Sequence, residues 1–215
     1  MNKFARIIGT GSYLPPTIVT NNDLSKTIDT TDEWITTRTG IKQRRRVTTE
    51  STCDLAQIAS NNALEMAGVD ASELDLIILA TTTPDKIFPA TATMLQHAIG
   101  ANCPAFDIQS VCSGFVFALT TAEQYIKTGA ANKVLVVGSE TLSRIVDWND
   151  RSTAILFGDG AGAVVLSGSE ETGILHSKLF SDGSYLSSLH VSNNFINETG
   201  FIEMAGNEVF KIAVS

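Results

Sequence analysis

Five short apolar runs, at residues 6–8, 74–80, 103–108, 134–137 and 161–166, recur along the chain with helix-patterned sequence among them. Each is too short to stand as a helix and has turn or capping signals around it, so each reads as a buried strand. Buried strands alternating with helices impose a layered α/β arrangement, because a sheet that is apolar on both faces needs a covering layer on each. The first helix is signalled by Ser51-Thr52, carries Leu55, Ile58, Ala59 and Leu64 at helical spacing, and stops at Gly68. A second covers 90–99 after Pro89, with Met94, Leu95, Ala98 and Ile99 apolar and Gly100 at its end. In the third, Phe115, Ala118, Leu119, Ala122 and Ile126 share one face and Gly129 supplies the stop. No Pro/Ser-rich linker or short-period repeat divides the chain. Its closing residues, 208–215, have the pattern of the first turns of an amphipathic helix without a cap, which leads to the expectation of a truncated polypeptide.

At 215 residues, 43% hydrophobic and 18% charged, the chain has the composition of a folded globular protein. Its 23 acidic and 15 basic residues give a formal charge of −8, the wrong sign for displacing counterions from nucleic-acid phosphates. The N-terminus lacks an uninterrupted apolar signal region and no apolar run is long enough to span a bilayer, so no membrane association and a cytoplasmic location are expected. Cys53, Cys103 and Cys112 show no C-x-x-C spacing and are too few for a disulfide framework. His97, His176 and His190 are scattered, so no metal site is expected.

Cys112 stands apart from the other two cysteines. It follows the run at 103–108 and falls at the start of the third helix, within Phe106-Asp107-Ile108-Gln109-Ser110-Val111-Cys112-Ser113-Gly114-Phe115. A sulfur in that position faces the positive end of the helix dipole and unpaired backbone N–H groups, which favour thiolate. Gly114 leaves the neighbouring backbone without a side chain, open to an incoming acyl group. Most lone cysteines are buried core residues, and Cys53 and Cys103 keep that reading. An acyl-transfer reaction also needs a group to manage protons or stabilise the developing oxyanion. None of the three histidines suits that role. His97 lies in an apolar helical segment, and His176 and His190 have no orienting neighbour in sequence.

Gly9-Thr10-Gly11-Ser12 after the first strand lacks the third glycine of a dinucleotide loop, and Pro15-Pro16 blocks the helix such a loop opens. Phe157-Gly158-Asp159-Gly160-Ala161-Gly162-Ala163 precedes a strand, so its glycines read as tight turning beside the core or active site. Trp34 and Arg38, four residues apart, have the chemistry to hold a heterocycle and its phosphates; the plainer reading is a Trp anchoring a surface helix and an Arg in a salt bridge. Arg44-Arg45-Arg46 reads as a solvated basic face, with docking of an acidic carrier protein as the alternative.

In chain order, the stretches Ile8-Gly9-Thr10-Gly11-Ser12-Tyr13-Leu14-Pro15, Thr31-Asp32-Glu33-Trp34-Ile35, Arg38-Thr39-Gly40-Ile41, Phe106-Asp107, Cys112-Ser113-Gly114-Phe115, Phe157-Gly158-Asp159-Gly160-Ala161-Gly162-Ala163, Asp182-Gly183-Ser184-Tyr185 and Met204-Ala205-Gly206-Asn207-Glu208-Val209-Phe210-Lys211 resemble the β-ketoacyl-acyl-carrier-protein synthase III family. These are the initiating condensing enzymes of bacterial fatty-acid synthesis, within the thiolase-like superfamily. Each stretch alone is weak; the ordered set is specific.

The resemblance implies an α/β, thiolase-like αβαβα layered fold with its first half complete at 1–170 and its second half only begun at 171–215. It implies that Cys112 is the acylated nucleophile, that Trp34 and Arg151 flank the adenine of coenzyme A with Thr30 and Arg38 nearby, and that Leu142, Phe157, Leu189, Met204, Gly206 and Phe210 line the pantetheine and acyl channel. Phe88 matches the residue that family members insert into the partner subunit's acyl pocket, which implies a homodimer. Ser152 stands where many members have glycine. The family's catalytic His and Asn, and the glycine-rich loop of its oxyanion hole, correspond to sequence beyond residue 215. The implied activity is an acyltransferase reaction, in which Cys112 takes an acyl group, typically acetyl, from acyl-CoA and a decarboxylative condensation with malonyl-ACP gives 3-oxoacyl-ACP. Coenzyme A enters as the substrate thioester, and no cofactor is expected. The alternatives are a related condensing or acyl-transfer enzyme of quinolone or polyketide synthesis and a catalytically incomplete fragment. A thiol redox protein is disfavoured because no resolving cysteine lies near Cys112 in sequence.

Overall fold

The computed structural model describes residues 4–192 and 200–213. Its elements run in the order β1 (Phe4–Tyr13), β2 (Thr17–Thr20), α1 (Asn21–Leu24), α2 (Asp32–Thr39), β3 (Gln43–Arg46), α3 (Thr52–Ala67), β4 (Leu76–Ala80), α4 (Thr91–Ala98), β5 (Ala105–Ile108), α5 (Gly114–Lys127), β6 (Lys133–Thr141), α6 (Arg151–Ala154), β7 (Asp159–Ser169), β8 (Leu189–Val191), β9 (Ile202–Met204) and α7 (Gly206–Ala213). By compactness they form two units, each built from separate stretches of chain. The first comprises Met1–Pro15, Thr49–Glu140 and Gly160–Leu179, the second Pro16–Thr48, Thr141–Asp159 and Phe180–Ser215. These groupings rest on spatial packing, a different property from the resemblance that divides the chain at 170/171.

The first unit is organised by a five-stranded sheet in the order β1-β7-β6-β4-β5. β4 runs parallel to both β5 and β6, and β1 is antiparallel to β7. Every residue of β4 is buried, as expected of a strand covered on both faces. Alternation sends Leu76, Ile78 and Ala80, with Val134 and Val136, into a core shared with Ala118, Ala122 and Ile126 of α5. Ile77, Leu79, Leu135 and Val137, none with any exposure, point to the opposite face.

The helix limits match the sequence signals because they are local chemistry. Ser51 and Asp54 form a reciprocal capping box at the start of α3, and Gly68 ends it with φ 62°. Gly100 and Gly129 likewise sit at positive φ just past α4 and α5. The strands differ more from expectation. β1 extends from the expected 6–8 to Tyr13, so Gly9 and Gly11 lie inside a strand, where α3 passes against it: a Cβ on Gly9 would lie 2.3 Å from the Ala63 carbonyl oxygen, and one on Gly11 2.2 Å from that of Ala59. β4 and β5 each begin two residues later than the apolar runs, at Leu76 and Ala105.

The second unit pairs β2 with β3 and β8 with β9, each antiparallel. Its core joins Leu24, Ile28, Ile35, Val146, Ala154, Ile155 and Ile202. Here the basic-face reading of 44–46 fails at its first residue. Arg44 is 5% exposed and donates to the Val19 carbonyl, Asn21 Oδ1 and the Ile155 carbonyl. Arg46 lies over the ring of Trp148, 4.6 Å from its centroid. The buried carboxylate of Asp159 ties two segments together by accepting from Val47 N at 2.7 Å, Ser143 N at 2.8 Å and Ser143 Oγ at 2.6 Å. Gly160 and Gly162 lie within β7 and not in a turn.

Candidate active site

Parallel pairing of β4 with β5 and β6 brings their C-terminal ends to one edge of the sheet, the place where α/β sheets present ligand-binding groups. Beyond β5 the chain makes one 3₁₀ turn, Val111–Ser113, before α5 begins at Gly114. Cys112 therefore sits in the turn that leads into the helix, just ahead of its first residue. Val111 has φ 45°, a left-handed conformation that is a genuine outlier for a β-branched residue and the kind of strain that gathers at functional sites. Cys112 is exposed, whereas Cys53 and Cys103 are buried. Gly114 has a different reason from the expected one: it is buried against β4, and a Cβ there would lie 3.3 Å from the Cβ of Ala80.

A hollow of about 360 Å³ opens at the sulfur, lined by Leu14, Ala80, Val111, Phe115, Gly138, Ser139, Glu140 and 160–162 as well as Cys112. All of these belong to the first unit. No histidine is among the lining residues. His97 and His176 are exposed, and His190 does have a neighbour that sequence did not reveal, Glu203 Oε1 at 3.8 Å across the β8–β9 pair.

The hollow also holds a group that reading the sequence missed. Glu140 accepts from Thr82 N at 2.7 Å, Thr82 Oγ1 at 2.8 Å, Thr83 Oγ1 at 2.5 Å and Thr81 Oγ1 at 3.5 Å. A signal was present: an acid three residues past one apolar run, and three threonines directly after another, both at the C-terminal edge.

In the second unit, Trp34, Arg38 and Arg151 come together. The Arg38 guanidinium lies 4.3 Å and that of Arg151 4.7 Å from the centroid of the Trp34 ring. Thr31 caps α2 through Trp34 N at 3.0 Å, which fixes the helix turn that presents the ring. Arg151 also donates to the Asp29 carbonyl at 3.0 Å and faces its carboxylate at 3.8 Å. The hydroxyl oxygen of Thr30 is buried with no hydrogen-bond partner among the described residues. Asp150 caps α6, accepting from Ser152 N at 2.9 Å. Burial acts to raise its pKa, but hydrogen bonds from Ser152 and Thr153 outweigh it and hold the carboxyl below its ordinary range.

Leu142, Phe157 and Leu189 pack against the core of the same unit. Met204 closes β9, Gly206 opens α7, and a Cβ on Gly206 would lie 3.5 Å from Met204 Cε. Phe210 projects from α7 with 61% exposure. Phe88, in the first unit, is 83% exposed beside Ile87 at 79%.

Against known proteins, the family described as 3-oxoacyl-[acyl-carrier-protein (ACP)] synthase III matches over residues 106–183, the stretch that contains Cys112. Beta-ketoacyl-[acyl-carrier-protein] synthase III of Vesicomyosocius okutanii is 81% identical over 215 residues, covering 100% of this chain and 68% of that protein. The chain belongs to the β-ketoacyl-[acyl-carrier-protein] synthase III family. The protein of the same name from Neisseria meningitidis serogroup B is 56% identical over 219 residues, with 99% of this chain and 68% of that one covered. The crystal structure of the Aquifex aeolicus 3-oxoacyl-[acyl-carrier-protein] synthase III superposes with a TM-score of 0.92 at 51% identity, over 97% of this chain and 67% of that one. The thiolase-like α/β fold follows from this likeness, and the chain is an acyl-transferring condensing enzyme of the initiating step of fatty-acid synthesis.

Proposed function

We propose that Cys112 takes an acyl group from acyl-CoA and passes it to a malonyl unit carried by acyl carrier protein. The thiolate attacks the thioester carbonyl; a new S–acyl bond forms, the bond to coenzyme A breaks, and coenzyme A leaves as its thiolate, which takes a proton from water. Malonyl-ACP then loses CO₂, and the resulting carbanion attacks the acyl carbon. The C–C bond forms, Cys112 leaves, and 3-oxoacyl-ACP is released. Trp34, Arg38 and Arg151 receive the adenine and its phosphates: the ring offers a stacking face and the guanidiniums offer fork-shaped donors. Thr30 supplies a hydroxyl beside them, and Leu142, Phe157, Leu189, Met204, Gly206 and Phe210 supply the apolar lining for pantetheine and acyl chain. Phe88 reaches into the partner subunit of a homodimer. The enzyme works in the cytoplasm with no cofactor beyond its thioester substrates; among the described residues, no helix is long and apolar enough to cross a membrane.

The observation that carries this reading is the exposed Cys112 on a strained turn at the C-terminal edge of parallel strands. Incubation with radiolabelled acetyl-CoA is expected to label Cys112 and no other residue. A Cys112→Ala protein that still condenses would overturn it.

A further inference from the structure

We propose that Glu140 is a positioning residue for acyl transfer at Cys112: it lines the hollow in which the thioester forms and is held there by its hydrogen bonds from residues 81–83. This rests on the acyl-transfer reading of Cys112. Glu140 lies one residue before the end of β6 and borders the same hollow as the sulfur. Its carboxylate is half-buried and meets one amide and three hydroxyl donors, all neutral and all from consecutive threonines. A carboxylate has about four lone-pair sites, and the Thr82 and Thr83 donors at 2.5–2.8 Å already engage it closely. A group so engaged is a poor general base and a good clamp.

The clamp is anchored from behind. Thr52 Oγ1 donates to the Thr83 carbonyl at 2.6 Å, and Ser139 Oγ, next to Glu140, donates to the Thr52 carbonyl at 2.8 Å. Two residues further on, Asp85 accepts from Thr52 N at 2.9 Å and Cys53 N at 2.8 Å. Glu140 thus ties this network to the hollow at Cys112, while the bonds to Thr52 and Cys53 hold the same segment on α3. A glutamine of the same shape keeps one acceptor oxygen and replaces the other with an NH₂; with Thr82 N still bound to the oxygen, the Thr81 and Thr83 hydroxyls that now donate must turn round to accept or lose their partner, which loosens the clamp.

The test measures the rate constant of Cys112 acylation by acetyl-CoA in the full-length enzyme, by quenched-flow intact mass, for the parent, Glu140→Gln, Glu140→Asp and Thr82→Val. Glu140→Gln is expected to acylate at least about tenfold more slowly, the equivalent of about 1.4 kcal/mol in the barrier, with KM for acetyl-CoA unchanged and the pH–rate profile keeping its shape at a lower plateau. Glu140→Asp, which keeps the acceptor, is expected to recover most of the rate. Thr82→Val removes one donor without changing shape, is expected to be slowed in the same sense, and decides the matter if Glu140→Gln does not fold. An unchanged rate in Glu140→Gln, or in Thr82→Val where Glu140→Gln is unfolded, overturns the proposal, as does loss of a limb of the pH profile, which would make Glu140 a base. Failure of the parent itself to acylate would instead overturn the reading of Cys112.

Discussion

Three cysteines in one chain illustrate how environment separates identical side chains. Cys53 lies in the first turn of α3 with 7% exposure. Burial, and then the charges of Asp85, Asp54 and Asp107, push its thiol up from the ordinary 9.0 to about 11. Cys103 is buried and shifted upward too, chiefly by burial. Cys112 alone is exposed. Brief treatment with iodoacetamide at pH 8, followed by peptide mass mapping, is therefore expected to modify Cys112 and leave Cys53 and Cys103 untouched. The sign for stability follows from the same shift. A thiol whose folded pKa is raised keeps its full contribution below 9.0, and that contribution is lost as the pH climbs from there through about 11. Alkaline unfolding followed by circular dichroism should thus begin later in Cys53→Ala than in the parent, once the neutral-pH difference is subtracted. What sets Cys112 apart from the other two was legible because strand-to-helix placement is written in neighbouring residues. Arg44 was not, because its partners Val19, Asn21 and Ile155 are distant in sequence.

Among the elements, α3, α4 and α5 were legible to within a residue or two, since capping is decided by side chains three or four positions away. Strand lengths were not. Residues 9–13, Gly9 and Gly11 among them, fall past the strand expected at 6–8, yet pairing of Gly9 with Val165 through Tyr13 with Ala161 draws them into the sheet. What makes the two glycines necessary is α3, whose backbone passes within 2.3 Å of where a Cβ would sit. Gly11→Ala is accordingly expected to destabilise the protein by about 1–3 kcal/mol through overpacking, read as a lower midpoint in urea unfolding with an unchanged slope. Ser51→Ala, which removes a cap and leaves packing intact, should cost about 1 kcal/mol by the same measurement. A Gly11→Ala protein as stable as the parent would show that α3 can move away without loss.

At the scale of the whole molecule, the exposed Ile87-Phe88 pair is the feature that a second copy would cover. Large apolar side chains with about four-fifths exposure, adjacent and on one loop, favour contact with a partner surface. Under the proposed homodimer, Phe88→Asp is expected to shift the parent's dimer mass to that of a monomer in light scattering; a dimer that persists would place the interface elsewhere. By itself, the sequence determined the layered α/β class, the ends of α3, α4 and α5 and the family, and it singled out Cys112 from the other cysteines, all of which rest on local periodicity or on motifs a few residues long. Only the tertiary structure decided that Glu140, bonded by three threonines, borders the hollow at Cys112, that Arg44 is interior, and that Gly9, Gly11 and Gly114 answer to packing. Those properties depend on which distant backbones meet, and β-pairing and helix packing join residues whose separation in sequence carries no trace of the contact.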